Sequence, residues 1–169
     1  PEHVVGELVR GELVVSPRPA GPQLVGTSAL GAMLVTRMQF GDGGPGGWWI
    51  WDEPGLHLAE NVLVPDIGGW RRERMPEPPQ DAFITLAPDW VCEVLSPSTS
   101  RFDRTRKLPV YARAGIPHLW LLDPLAETLE VYRLQSENWV LLATHGGDEI
   151  VSAEPFEAVT VDLKRIWGR

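Results

Sequence analysis

Residues 89–95, Asp-Trp-Val-Cys-Glu-Val-Leu, form a largely apolar run that opens on Asp89 and has one carboxylate, Glu93, set inside it. The length of the run and its flanking prolines at 88 and 97 suit a central strand of a sheet. Such a strand needs other elements to cover it, and the following residues supply them. Ser96-Pro-Ser-Thr-Ser100 offers several helix N-caps, residues 101–114 read as a charged helix, and Gly115 with Pro117 closes it. His118-Leu-Trp-Leu-Leu122 is a second strand of the buried type, and residues 128–133 and 139–145 are two more, separated by a polar turn. The pattern is a strand–helix–strand unit continued by a meander.

Upstream, residues 4–15 hold two alternating apolar runs around Arg10-Gly11, an opening β-hairpin that carries Glu7 and Glu12. Prolines at 17, 19 and 22 then break regular structure, and Leu24, Leu30, Leu34 and Met38 share one face of a helix over residues 23–40. The glycine-rich stretch 41–47 is a loop and Trp48-Trp-Ile-Trp51 a strand. Residues 61–67 read as a strand ending near Pro65, residues 71–80 as a charged surface loop, and the tail from 159 as a last strand and short helix. No internal repeat and no linker divides the chain, so one α/β domain over residues 1–169 is expected. A hydrophobic content of 43% supports one sizeable core, and 17 glycines with 16 prolines fall short of low complexity. Cys92 is the lone cysteine, which excludes an intramolecular disulfide or a cysteine-rich zinc site and fits a reducing, cytoplasmic compartment. No run approaches the roughly 18 apolar residues of a membrane span, and the opening residues lack an apolar stretch, so neither a span nor a signal peptide is expected.

The formal charge of -8 makes the molecule as a whole repel phosphate backbones, so a nucleic-acid role requires a local basic patch. Arg101, Arg104, Arg106, Lys107 and Arg113, set against Asp103, supply one. On a continuous helix Asp103, Lys107 and Tyr111 follow at i,i+4 spacing, a face suited to phosphate; the plainer reading is a surface ion pair worth about 0.3–0.5 kcal/mol. Pro109 requires that the helix either start near Thr105 or kink there. Glu93, costly to bury alone, calls for an arginine partner, a polar cleft or a metal ion. Asp66 closes the preceding strand, and two carboxylates brought to one rim suit Mg²⁺, a hard ion that takes oxygen ligands. The four histidines lack metal-ligand spacing, and Cys92 points away from Glu93 by strand parity, as a core thiol. Trp48, Trp49 and Trp51 offer base stacking or packing, and packing is the stronger reading.

Three segments carry a resemblance: Val64-Pro65-Asp66; the run from Pro88 through Glu93-Val-Leu-Ser-Pro-Ser-Thr99; and Lys107-Leu-Pro-Val-Tyr111-Ala-Arg-Ala-Gly-Ile-Pro117-His-Leu-Trp-Leu-Leu-Asp123-Pro124. With the Gly6-Glu7-Leu-Val-Arg-Gly-Glu12-Leu13 hairpin and Glu130-Val-Tyr-Arg-Leu134, they resemble the Uma-two family of restriction-endonuclease-like proteins over nearly the whole chain. The resemblance implies the PD-(D/E)XK fold, a mixed β-sheet flanked by helices with an N-terminal β-hairpin, and a homodimer. It implies that Asp66 and Glu93 are catalytic metal-binding acids. Leu95 stands where the wider superfamily has lysine, and Lys107 on the following helix takes that place, steadying the attacking water or the phosphorane charge. Glu7 resembles the additional metal-binding acid that the family supplies from its hairpin, with Glu12 the next candidate, and Asp89 is a reserve. Arg104 and Tyr111 are candidate substrate contacts.

The expectation is therefore a nuclease dependent on Mg²⁺ or Mn²⁺, acting on nucleic acid, DNA first. Its rival is a nuclease fold that no longer cuts and serves in binding or oligomerisation. Gln23 stands where family members carry a histidine and cannot act as a general base, which favours the rival; the joint presence of Asp66, Glu93 and Lys107 favours the enzyme.

Overall fold

Arg10 and Gly11 both take positive φ, 51° and 79°, the geometry of a tight two-residue turn. They close the opening hairpin of β1 (Val4–Val9) and β2 (Glu12–Pro17) in this computed structural model, which describes residues 2–169. Pro22, whose missing N–H costs nothing in a first turn, starts α1 (Pro22–Leu34), which continues as a π-helical stretch over Val35–Gln39. The glycine loop leads to β3 (Trp48–Asp52), and β4 (Leu56–Leu58), β5 (Asn61–Leu63) and β6 (Ile67–Arg71) follow. After β7 (Trp90–Val94) come α2 (Ser100–Phe102), a second π-helical stretch (Asp103–Lys107) and α3 (Leu108–Arg113). The chain ends with β8 (His118–Asp123), β9 (Thr128–Gln135), β10 (Asn138–Gly146), β11 (Ile150–Val151), β12 (Val161–Asp162) and α4 (Leu163–Ile166).

The central sheet has the order β10-β9-β8-β7-β6-β3. It is mixed: β7 and β8 run parallel across the helical crossover, and the other pairs are antiparallel. A second, antiparallel sheet of order β2-β1-β5-β4 takes up the hairpin, and β11 pairs with β12. Residues 61–67 therefore do not make one strand. Val64 and Pro65 separate β5, which pairs with β1 and β4, from β6, which pairs with β3 and β7; proline cannot donate to a ladder and marks the change of sheet. β6 contains Gly68 and Gly69, residues of low strand propensity, yet packing demands them. A Cβ on Gly69 would meet Trp90 and Ile50 at 3.1 and 3.2 Å, and one on Gly68 would meet Pro54 and Trp70 at 3.0 Å.

Strand parity sorts the core into two layers. Trp90, Cys92 and Val94 of β7 face α1 and α4 with Leu30, Leu34, Trp120 and Ile166. Val91 and Leu95 face the second sheet and α3 with Leu63, Trp70, Val110 and Tyr111. Cys92 is a buried core thiol. Trp48 packs edge-on to Phe156 at 4.8 Å, while Trp49 and Trp51 stack at 5.6 Å against the second layer, so the three indoles serve packing. No helix among the described residues is long and apolar enough to cross a membrane. Leu122→Ala, at a fully buried position of β8, is expected to cost about 2–5 kcal/mol in urea unfolding.

Candidate active site

Glu93 lies one residue from the C-terminal end of β7, beside its parallel neighbour β8, where an open α/β sheet offers a crevice. Its parity turns it toward α3 rather than α1. There Glu93 Oε1 accepts from Lys107 Nζ at 2.7 Å and from the Tyr111 hydroxyl at 2.5 Å. Lys107 Nζ also reaches Glu7 Oε1 at 2.8 Å and the Val64 carbonyl at 3.4 Å, with Asp103 Oδ1 at 3.9 Å. Its three N–H groups are thus matched by three oxygens. Glu7 comes from the hairpin, where it also accepts from the Val64 N–H at 2.8 Å. Asp66, on the link between the two sheets, accepts from the Val94 N–H at 2.7 Å. Glu7, Glu93, Asp103 and Lys107 are each at most 4% exposed.

Burial dominates the electrostatics. It pushes Glu93 up to about 8, with Lys107 pulling down and Asp66 and Glu7 pushing further up. Asp103 rises to about 8, through burial and the field of Glu93. Asp66 rises to about 6 through burial, moderated by the Val94 N–H and by Lys107. Burial alone would lower Lys107, but Glu93, Glu7 and Asp103 outweigh it and hold the ammonium above its ordinary range. The Tyr111 phenol is raised by burial and by Glu93, so it stays protonated and donates.

The structure thus gathers Glu7, Asp66, Glu93, Lys107 and Tyr111 at one place. Tyr111 is fully buried, so it supports Glu93 instead of touching substrate. Arg104 is not brought to the cleft: its guanidinium is held by both oxygens of Glu130, at 2.8 and 3.1 Å. Arg106 pairs with Glu12 at 2.7 Å, which removes Glu12 from the cluster and neutralises a second arginine of the basic helix. Asp89 accepts from the Arg71 N–H at 2.8 Å and pairs with Arg74 at 2.9 Å, an anchor at the start of β7. Pro109 stands in the first turn of α3, where its missing N–H is tolerated, and the helical path runs on through it. The π-helical stretch lies immediately before it, a widened winding associated with functional sites.

Two contributions escaped the sequence reading. Gln23, at the start of α1, donates to the Val94 carbonyl at 3.1 Å and lines the same cavity as Asp66 and Glu93. Thr99 steadies Asp103 through its side chain, and Ser96 Oγ accepts from the Thr99 N–H at 3.2 Å. The Ser-Pro-Ser-Thr signal for a helix start held this second contact implicitly. The cavity measures about 60 Å³, room for a few waters, and Pro17, Pro19 and Glu53 also line it. No three histidine, cysteine or carboxylate side chains converge as an ion cage among the described residues.

A family model described as "Putative restriction endonuclease", Uma2, matches residues 4–164. A solved structure from Anabaena variabilis, described as a "putative nuclease belonging to DUF820", superposes with a TM-score of 0.79 at 22% identity, covering 99% of this chain and 92% of that one. This second likeness shows the fold. No curated protein matches.

The raised carboxylates fix the sign of a pH effect. Glu93 and Asp103 hold protons up to about 8 in the folded chain, against ordinary values of 4.5 and 3.8. The folded state therefore binds more protons in that window, and stability falls as pH rises through it. Urea unfolding in EDTA is expected to show stability from this cluster declining between pH 5 and pH 8. Lys107→Met, which leaves the acids without their ammonium, is expected to cost about 3–5 kcal/mol at pH 8 and less at pH 5.

Proposed function

Because the chain belongs to the Uma2 family of restriction-endonuclease-like proteins, we propose that it hydrolyses phosphodiester bonds of nucleic acid, DNA first, with Mg²⁺ or Mn²⁺ held by Asp66 and Glu93. The observation that carries this reading is the pairing of these two carboxylates at the end of β7 beside a buried lysine. The donor set fits a hard cation. Asp66 Oδ2 and Glu93 Oε1 accept from protein donors, and the two carboxyl groups lie within hydrogen-bonding reach of each other, close enough for one ion to take an oxygen from each. Burial keeps Glu93 and Asp103 protonated toward pH 8, and a divalent ion bound beside them would offset the cost of ionising them. Two carboxylates completed by water and phosphate are the usual complement of Mg²⁺. Bound there, the ion would neutralise phosphate charge and make a water acidic enough to attack.

The chain's own residues supply the rest. Lys107, with its N–H groups engaged by Glu7, Glu93 and Val64, acts as a fixed positive charge beside the phosphate position. Glu7 contributes as the third acid of the cluster by holding that ammonium. Gln23 secures the end of β7 and takes no proton. A homodimer belongs to the same proposal: β10, an outer strand of the central sheet, leaves Val140, Leu141 and Leu142 exposed in succession. The reading without catalysis rests on Gln23 and on the sequestered Lys107, and it forecasts a folded protein that cuts nothing.

Plasmid, single-stranded DNA and RNA are the substrates to test with Mg²⁺, Mn²⁺ and EDTA. Metal-dependent cutting is expected, reduced at least about a hundredfold in Asp66→Asn and Glu93→Gln. Cutting that persists in EDTA or in either variant would contradict the proposal.

A further inference from the structure

Glu93 Oε1 is held by two donors of unlike character. Lys107 is a flexible four-carbon stem whose ammonium is shared among Glu93, Glu7 and the Val64 carbonyl. The Tyr111 hydroxyl has one partner, Glu93 Oε1, at 2.5 Å. Its ring is fully buried in the second core layer with Val110, Leu119 and Leu121, so it is the stiffer anchor of the two. It also sits one helical turn beyond Lys107, on α3, past the π-helical stretch. Four residues apart on helical backbone, the two side chains share a face and reach one oxygen.

Resting on the metal-binding reading above, we infer that Tyr111 is a positioning residue: it fixes the rotamer of Glu93 with Oε1 turned to the helix, so that Oε2 is the oxygen presented to the cation beside Asp66. The phenol touches neither cation nor substrate. It acts through Glu93, as outer hydrogen bonds orient the ligands of metal sites generally. Without its donor, Glu93 keeps Lys107 but gains freedom to turn, and Oε1 and Oε2 compete for the same ammonium. Tyr111→Phe leaves the ring in its apolar site and removes the donor alone.

Tyr132, the other of the two tyrosines in the chain, donates to Glu130 on the outer meander and serves as the control. Mn²⁺ binding, read by electron paramagnetic resonance, is expected to weaken about 10–100-fold in Tyr111→Phe and to stay unchanged in Tyr132→Phe. Thermal unfolding and near-ultraviolet circular dichroism check that both variants are folded. A second measurement needs no substitution at Tyr111. Labelling with 3-fluorotyrosine gives two fluorine resonances, assigned through Tyr132→Phe, and Mg²⁺ is expected to move that of Tyr111 and leave that of Tyr132. Mn²⁺ affinity in folded Tyr111→Phe within twofold of the parent, or a Tyr111 resonance indifferent to Mg²⁺, would overturn the inference and leave the metal reading standing. A parent protein that binds no Mn²⁺ would overturn both. If Tyr111→Phe does not fold, the fluorine measurement decides.

Discussion

The Lys107 ammonium sits where four separate segments meet, and each sends it an oxygen or a carboxylate field. The hairpin provides Glu7, the link between the sheets provides the Val64 carbonyl and Asp66, β7 provides Glu93, and the helical crossover provides Asp103. Burying charges of either sign costs several kcal/mol per ion unless each finds partners. Removal of any one contributor therefore strands the others. This ties the second sheet to the first: the hairpin is docked by Leu8 pairing with Val62 of β5, and also by Glu7 reaching the lysine of a helix a hundred residues later in the chain.

The backbone around the cluster shows how such a junction is assembled from ordinary rules. A parallel strand pair needs a crossover, and the crossover after β7 brings a helix over the strand's C-terminal end. Pro109 falls in the first turn of α3, where a missing N–H is tolerated, directly after the π-helical winding of Asp103–Lys107. Lys107 and Tyr111 then converge on one carboxylate oxygen. Pro65 plays the corresponding part on the other side, ending one sheet and turning Asp66 toward the Val94 N–H. The acids are consequently held by backbone and by neighbours with little freedom, as a preorganised site requires.

Much of this was legible in the residues. The single carboxylate of an apolar strand marked Glu93, parity placed Cys92 in the opposite layer, and Arg10-Gly11 marked the hairpin turn. The helix over residues 23–40 appears as α1 with its π-helical extension, and the meander strands fall as read. Periodicity reports the face of a residue and not its depth, which is why Tyr111 read as a substrate contact when its hydroxyl is spent on Glu93. Nor does it report partners from distant strands: Glu130 and Glu12 take up Arg104 and Arg106, so a helix that looks basic in sequence is largely compensated in space. β6 was invisible for a different reason. Gly68 and Gly69 lack strand propensity and are selected by the indoles packed against them.

The account turns on whether Asp66 and Glu93 share a cation beside Lys107. Anomalous diffraction from crystals soaked in Mn²⁺ at pH 8 tests this directly. The predicted result is one peak between the two carboxylates, in contact with an oxygen of each, with Tyr111 and Lys107 still on Glu93 Oε1. Density without a peak there, or a peak elsewhere on the chain with the cluster unchanged, would contradict it.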